Sequence, residues 1–165
     1  MPTPLLFLDI DGVLNDRVYL NCPEVRAARL RVDPDEWLGR QCLDIDPSRV
    51  RVLNRILDDT CATVIVHSTW RRMFELDELQ RMLEMRGFTG HLGGVTEVEI
   101  VERVESIRSF LSFVQRRGRP VPFAVLDDED LSHDAVIAPR FVRTGMEPHE
   151  ALADHHADQV RRLLA

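Results

Sequence analysis

Two carboxylates lie at the end of an apolar run near the start of the chain, and a glycine follows them. The run at about residues 4–9 is typical of a buried strand, and Asp9 and Asp11 come where it ends, just before Gly12. Side chains two residues apart on an extended chain point the same way, roughly 6.5–7 Å apart. Paired carboxylates repel each other unless a cation or a shared proton compensates, and Mg²⁺, which prefers oxygen ligands, is the usual compensating ion.

Polar residues also follow the two other clear strand patterns, at 63–66 and 121–126. After the first come His67, Ser68, Thr69, Trp70, Arg71 and Arg72, and after the second come Asp127, Asp128, Glu129 and Asp130. A helical pattern that begins near Ile100 carries Arg103 in its first turn. If the strands are parallel, all of these groups share the edge of the sheet at which open α/β folds bind their ligands.

These residue types fit phosphoryl transfer. One carboxylate can attack phosphorus and form an aspartyl-phosphate, and a second can protonate the leaving oxygen and then activate water. A hydroxyl and an arginine can hold the phosphoryl oxygens as charge redistributes. A metal ion offsets the repulsion between the nucleophile and a dianionic substrate.

Strand and helix patterns alternate along the chain, which favours a mostly parallel sheet with helices on both faces. Apolar periodicity predicts helices at 47–59, 75–86, 98–117 and 148–164, and a further short strand at 135–137 or at 140–143. Residues 15–46 form an irregular insert. Because the sequence contains neither an internal repeat nor a long linker, we expect residues 1–165 to form a single domain.

The amino-acid composition limits the possible binding partners and the cellular location of the protein. The net charge of −7 argues against broad, nonspecific binding to nucleic acid, although it permits a local basic groove. All 21 basic residues are arginines, so a cation that binds phosphate must be an arginine or a charged histidine. With no apolar run of the roughly 20 residues that span a bilayer, no secretion signal and three cysteines without metal-type spacing, we expect a cytoplasmic protein. We expect no membrane contact and no obligate protein partner.

Four motifs, in this order, resemble those of the haloacid dehalogenase (HAD) superfamily of aspartate-nucleophile phosphatases. They are Asp-Ile-Asp-Gly-Val at 9–13, the apolar strand that ends at Ser68, the cation Arg103, and the acidic pair 127–128. The resemblance implies a Rossmann-like parallel sheet flanked by helices. It implies that Asp9 is the nucleophile and that Asp11 is the general acid and base.

The same resemblance implies a set of binding residues. Mg²⁺ would be held by the Asp9 carboxylate, the main-chain carbonyl of Asp11 and the acidic pair Asp127 and Asp128, with Asp128 favoured as the direct ligand. Ser68 would bind the phosphoryl group and Arg103 would stabilise it, while Thr69 and Arg71 are further candidates for contact with the substrate. Arg108 is the alternative to Arg103 as the cation.

The individual residues within and around these motifs resemble those of the HAD domains found with RNA-repair proteins. The segments that carry this resemblance are LFLDIDGVLN at 6–15, HSTWR at 67–71, AVLDDED at 124–130 and the late RTG at 143–145. Such domains are associated with polynucleotide end-healing, so the resemblance implies a 3′-phosphatase. Arg103 follows Ser68 by 35 residues, which is too few for a large cap, and 15–46 could form a flap or a very small cap. An open site of this kind suits a bulky substrate such as a nucleic-acid end.

Two other functions stay open at this point. The protein could be a small-molecule or nucleotide phosphatase if 15–46 closes over the site, or a noncatalytic HAD-like module that binds a phosphorylated ligand or a protein.

Several single residues also have two possible roles. Trp70 could pack in the core or stack on a base, Glu129 and Asp130 could support the site or face solvent, and the pair 155–156 is typical of a surface helix face.

Overall fold

Five short strands form one parallel sheet in a computed structural model that describes residues 2–115 and 120–165. They are β1 (Leu5–Leu8), β2 (Thr63–Val66), β3 (Leu92–Val95), β4 (Phe123–Asp127) and β5 (Phe141–Arg143), and their order across the sheet is β3-β2-β1-β4-β5. Leu8, the last residue of β1, pairs with Val66 and with Leu126. The three central strands therefore reach the same edge of the sheet together, as the sequence predicts.

In the described part of the chain, seven α-helices and three short 3₁₀ turns connect and flank these strands. The helices are α1 (Arg17–Asn21), α2 (Pro23–Arg31), α3 (Trp37–Gln41), α4 (Pro47–Thr60), α5 (Leu76–Met85), α6 (Arg103–Gln115) and α7 (Asp154–Leu164). The 3₁₀ turns lie at Cys42–Asp44, Thr69–Arg72 and Ala138–Arg140. The predicted α/β class with a parallel sheet is confirmed.

The two faces of the sheet are covered unequally. Because side chains alternate along a strand, Leu6 and Leu8 enter the larger core, which contains residues of α4, α5 and α7. Phe7 enters the smaller core with residues of α6, where its ring meets Phe110 and Phe123 edge to face. Among the described residues, α6 and the segment that contains Leu131 and Ile137 cover the face that carries Phe7, and α6 begins at the edge where the polar clusters gather.

Several element predictions are corrected by the structure. The insert 15–46 contains three short helices, each of which is too short to show a periodic pattern; α1, for example, begins where the Asp16 side chain accepts a hydrogen bond from the Tyr19 amide at 2.8 Å. The edge strand β3 was not predicted, because Gly93 and Gly94 dilute its apolar signal.

The remaining corrections concern where elements begin and end. The predicted helix 98–117 begins at Arg103, and its last two residues lie outside the described part of the chain. The predicted helix 148–164 begins at Asp154. Of the two candidate short strands, 140–143 is the one that forms, as Phe141–Arg143. Among the described residues, none of the helices has the length and apolar character that crossing a bilayer requires.

Candidate active site

The carboxyl ends of β1 and β4 bring the predicted acids together. Asp9 follows β1 directly and Asp127 is the last residue of β4, and both side chains are fully buried. The Asp9 amide donates to the carbonyl of Leu126 at 3.0 Å, which continues the pairing of the two strands to their ends. The sheet itself therefore fixes the distance between these two carboxylates.

Gly12 allows the chain to turn back after the two aspartates. Its φ of +70° lies in the left-handed region, which favours glycine. A Cβ atom at this position would lie 2.5 Å from Cβ of Asp128. The loop after β1 and the loop after β4 therefore approach more closely than any side chain at position 12 would allow.

Arg103 is the cation that faces these acids. It is the first residue of α6, and its Nη1 contacts Oδ2 of Asp9 as well as both carboxylate oxygens of Asp127, at 2.8 and 2.7 Å. Its Nε lies 2.9 Å from a carboxylate oxygen of Glu129. Arg108, the alternative cation, instead pairs with Asp134 on the surface. The structure brings Arg103 to the acids, and it places Glu129 beside Arg103.

The crowding of these carboxylates changes how they ionise. Burial raises the pKa of Asp127 to about 7, the Asp9 carboxylate adds to this rise, and Arg103 opposes it. The pKa of Asp128 is also raised, mainly by partial burial and then by Asp9. Burial alone would lower the pKa of Arg103, but the attraction of Asp9 and Asp127 outweighs it and raises this pKa. The site therefore holds more negative charge than its arginine can neutralise.

Three of the predicted metal ligands could hold a cation together. Asp9, Asp127 and Asp128 each offer a carboxylate oxygen, and these oxygens lie within 4.8 Å of one another. Oxygen ligands and an excess of negative charge fit a hard divalent ion such as Mg²⁺. The side chain of Asp11 is not in this group, which leaves only its main-chain carbonyl to serve as the predicted ligand.

Asp11 has a different environment from Asp9. Its Oδ1 accepts a hydrogen bond from Nδ2 of Asn15 at 3.0 Å, and its Oδ2 accepts one from Nε1 of Trp70 at 2.9 Å. Trp70 is buried and its ring packs against Phe74. Trp70 is therefore a packing residue, which is the first of its two interpretations, but it also binds an acid of the site.

The loop after β2 carries the predicted phosphoryl-binding groups. Ser68 is fully buried, and its Oγ accepts a hydrogen bond from the Trp70 amide at 3.3 Å. Thr69, the next residue, is exposed. Ser68 is thus buried just beyond the end of β2, whereas Thr69 faces solvent.

Arg71 is held by carbonyl groups of the main chain. Its Nη1 donates to the carbonyls of His67 and Ser68 at 2.5 and 2.9 Å, and its Nη2 donates to the carbonyl of Ile100 at 2.8 Å. The residue is 4% exposed. Arg71 therefore ties the loop after β2 to the segment that precedes α6, and its contact with a substrate stays a prediction.

His67 is a buried neighbour of the site for which the sequence predicts no role. Burial lowers its pKa to about 4, so its ring is neutral near pH 7. Its Nε2 lies 3.3 Å from the carbonyl of Leu126, which can only accept, so this nitrogen carries the proton. Its Nδ1 faces Oδ2 of Asp127 at 3.5 Å. Because the ring is neutral, this contact is not an ion pair.

A cavity of about 610 Å³ opens beside Asp128. Thr144, Glu150 and His155 are among its lining residues. His155 is exposed and His156 is largely buried, so only the first fits the predicted surface helix face. The cavity shares Asp128 with the acidic cluster and therefore adjoins the site.

A comparison with protein families shows to which family the chain belongs. The family model that describes the HAD domain in Swiss Army Knife RNA repair proteins matches residues 5–157. The chain belongs to this family. The resemblance drawn from the motifs is thereby confirmed, and at the family level this HAD domain is a phosphatase-type hydrolase. Comparisons with curated proteins and with solved structures gave no match.

Membership in the family agrees with the acidic cluster. HAD domains are generally metal-dependent, and the three carboxylates of this HAD domain form a group that could hold an ion. The matched span runs from β1 into α7, so it includes every residue of the site described above.

Proposed function

We propose that this HAD domain is a Mg²⁺-dependent phosphomonoester hydrolase that works through an aspartyl-phosphate. The observation that carries the proposal is the meeting of Asp9, Asp127 and Asp128 around one point, with Arg103 against the first two. A bound Mg²⁺ would supply charge that offsets the repulsion between a carboxylate nucleophile and a phosphate dianion.

Asp9 is the nucleophile in this proposal. Its Oδ1 accepts a hydrogen bond from the Ile10 amide at 2.8 Å and its Oδ2 contacts Arg103, so the carboxylate is held in one orientation. Attack on phosphorus forms a bond from an Asp9 oxygen to phosphorus as the bond to the leaving oxygen breaks.

Asp11 is the acid and base in this proposal. It gives a proton to the leaving oxygen in the first step and takes one from the attacking water in the second. The Ser68 hydroxyl and Arg103 would bind the phosphoryl oxygens, with Thr69 at the open side of the site.

A polynucleotide 3′-phosphate is the substrate that we favour. The family description points to RNA repair, and the 34 residues between Ser68 and Arg103 contain only the 3₁₀ turn Thr69–Arg72, α5, β3 and their connections. In the insert, Trp37 is 55% exposed and stacks on Phe74 at a centroid distance of 5.8 Å. Exposed aromatic rings bind bases by stacking. Because the flanking residues 33, 35 and 36 are acidic, this surface offers a base contact rather than a phosphate contact.

A small-molecule or nucleotide substrate is the second candidate. The cavity beside Asp128 falls in the size range of small-ligand sites, which is roughly 300–1,000 Å³. It would receive the leaving group of a free nucleotide if the insert 15–46 closed over the site.

Phosphate release from a panel of substrates tests the proposal. We expect Mg²⁺-dependent release from p-nitrophenyl phosphate, and a clear preference for 3′-phosphorylated oligonucleotides over free nucleotides and sugar phosphates. Asp9→Asn should lower kcat by at least about 10³-fold, because an amide is a poor nucleophile. Asp58→Asn, the same change at an exposed position of α4, is the control. Full turnover by Asp9→Asn would overturn the mechanism, and a preference for a small metabolite would favour the second candidate.

We also propose that the protein acts in the cytoplasm. Cys22, Cys42 and Cys61 are free thiols in the structure, and free thiols are typical of a reducing compartment.

A further inference from the structure

Neutral hydrogen-bond donors hold both oxygens of the Asp11 carboxylate. Oδ1 accepts from Nδ2 of Asn15 at 3.0 Å, and Oδ2 accepts from Nε1 of Trp70 at 2.9 Å. Among the described residues, Asp11 forms no ion pair. Its orientation therefore depends on these two side chains.

The orientation of the Asn15 amide is fixed by its other partners. Its Oδ1 accepts from the Gly12 amide at 3.0 Å, and its Nδ2 also donates to the carbonyl of Asp44 at 3.0 Å. Asn15 is fully buried. A flipped amide would turn its oxygen toward the Asp44 carbonyl and the Asp11 carboxylate, which can only accept, so Nδ2 must face Asp11.

Trp70 is fixed just as firmly. It is 2% exposed, its ring packs against Phe74 at a centroid distance of 5.7 Å, and its amide donates to Oγ of Ser68 at 3.3 Å. One residue therefore connects the hydroxyl that would bind the phosphoryl group with the carboxylate that would move the proton.

The chemistry of these donors restricts where Asp11 can carry a proton. The indole N–H and the amide N–H₂ donate and cannot accept, so neither can receive a proton from Asp11 or share one. Each carboxylate oxygen keeps one further acceptor position, and the proton must occupy one of these. Rotation of the carboxylate would break both hydrogen bonds at once.

We propose that Asn15 and Trp70 are positioning residues that aim the Asp11 proton at the leaving oxygen; this rests on the proposed phosphatase function. In the first step the bond from Asp9 to phosphorus forms, the bond to the leaving oxygen breaks, and the Asp11 proton passes to that oxygen. In the second step a water oxygen attacks phosphorus, its proton passes to Asp11, and the Asp9 carboxylate and phosphate are released. No other reactant is needed.

The test compares two leaving groups. p-Nitrophenolate leaves with little help from a proton, whereas the alkoxide of an alkyl phosphate such as a 3′-phosphorylated oligonucleotide needs one. We expect Trp70→Phe, which keeps a ring against Phe74 but deletes the N–H, to lower kcat for the alkyl phosphate about tenfold and kcat for p-nitrophenyl phosphate about twofold at most. Asn15→Ala should shift the ratio in the same direction, and it provides the test if Trp70→Phe does not fold.

Tyr19→Phe is the matched control. It also removes a half-buried hydrogen-bonding group, because the Tyr19 hydroxyl contacts the carbonyls of Leu43 and Ile45 and the guanidinium of Arg86. It does not contact Asp11, so we expect it to leave the ratio of the two rates unchanged. An equal loss on both substrates in the Trp70 and Asn15 variants would overturn the proposal.

A second measurement separates this proposal from the proposed function. The indole N–H resonance of Trp70 should move when Asp11→Ala removes its acceptor, while that of Trp37 should stay in place as an internal reference. If the wild-type protein hydrolyses neither substrate, the proposed function fails and this positioning role fails with it. If hydrolysis occurs but the Trp70 resonance does not move, the proposed function stands and the positioning role alone is overturned.

Discussion

The two carboxylates that follow β1 lie two residues apart, yet opposite kinds of partner hold them. Asp9 belongs to a charged half of the site, formed by Asp9, Arg103, Asp127, Asp128 and Glu129. Asp11 belongs to a neutral half, formed by Asp11, Asn15, Ser68 and Trp70. The alternation of an extended chain therefore does not give both acids one environment, because the loop after β1 turns the second toward the insert and the loop after β2.

The difference suits the two roles that we propose. A nucleophile that must approach a dianionic phosphate needs cations nearby, and the charged half supplies Arg103 and a group of carboxylates that could hold a metal ion. A proton carrier must gain and lose charge within one reaction, and a fixed cation at its side would bias it toward the ionised form. Neutral donors fix its position without placing a charge beside it.

Removal of Arg103 should disturb the charged half most. We expect Arg103→Met to lower kcat/KM about 10³-fold, because it deletes the group that would stabilise the phosphoryl oxygens. It should also lower the free energy of unfolding of the metal-free protein by about 3 kcal/mol, because Asp9 and Asp127 are left buried without their cation. Saturating Mg²⁺ should then raise the Tm of this variant more than that of the wild type, as thermal unfolding with and without the ion would show.

Arg108→Met provides the control for this prediction. It makes the same change on the same helix, but Arg108 is 55% exposed and pairs with Asp134 at the surface, where an ion pair contributes about 0–1 kcal/mol. Equal losses of stability in the two variants would show that Arg103 does not compensate the buried acids.

Gly12 joins the two halves, and its substitution tests how closely they depend on each other. Its amide donates to Asn15 in the neutral half, and a Cβ at this position would clash with Asp128 in the charged half. We expect Gly12→Ala to lower the free energy of unfolding by about 2–4 kcal/mol, from a left-handed φ and from a Cβ that displaces Asp128. Calorimetry should show Mg²⁺ binding weakened about tenfold, because one carboxylate ligand is moved.

Gly87→Ala separates the two causes. Gly87 also has a positive φ, of +92°, but a Cβ there would meet no atom within 4 Å. It should therefore lower the free energy of unfolding by only about 1–2 kcal/mol and leave Mg²⁺ binding unchanged. If the two variants behave alike, the contact between Gly12 and Asp128 does not matter for the site.

The two halves also differ in how far the sequence predicts them. Strand ends and a helix start are visible in the pattern of residues, so the order of residues alone predicts that Asp9, Asp127 and Arg103 share one edge of the sheet. The contacts of Asp11 could not be predicted, because they depend on how one loop folds back to Asn15 and how a second loop, 59 residues away, presents Trp70. Arg71 could not be assigned for the same reason: its carbonyl partners belong to the main chain, which no side-chain pattern reveals.

The fold shows a similar division. Helices and strands with a clear pattern of apolar residues, such as α4 and β2, lie close to where that pattern predicts them. The insert 15–46 and β3 do not have such a pattern. The helices of the insert are too short for apolar positions to recur clearly, and β3 has glycine at two of its four positions. Tertiary packing decides these elements, and a local pattern cannot report it.

The smallest expected effect is on the pH dependence of stability, because the contributions of Asp127 and His67 to the free energy of unfolding oppose each other. The folded-state pKa of Asp127 is raised to about 7, so its contribution to the stability of the metal-free protein is full below about pH 4 and is lost as the pH rises through 7. The pKa of His67 is lowered from 6.5 to about 4, so its contribution is full above pH 6.5 and is lost as the pH falls through 4. Between pH 4 and 7 the two contributions have opposite slopes.

Denaturant unfolding at several pH values would resolve these slopes by difference, since all other titrating groups are shared with the variants. The free energy of unfolding of the wild type minus that of Asp127→Asn should fall as the pH rises from 4 to 7, because only the wild type carries the Asp127 proton. The same difference taken with His67→Gln should rise over that range. If both differences changed with pH in the same direction, the proton of the buried pair would not lie on Asp127. The charged half would then not be distinguished from the neutral half by binding a proton.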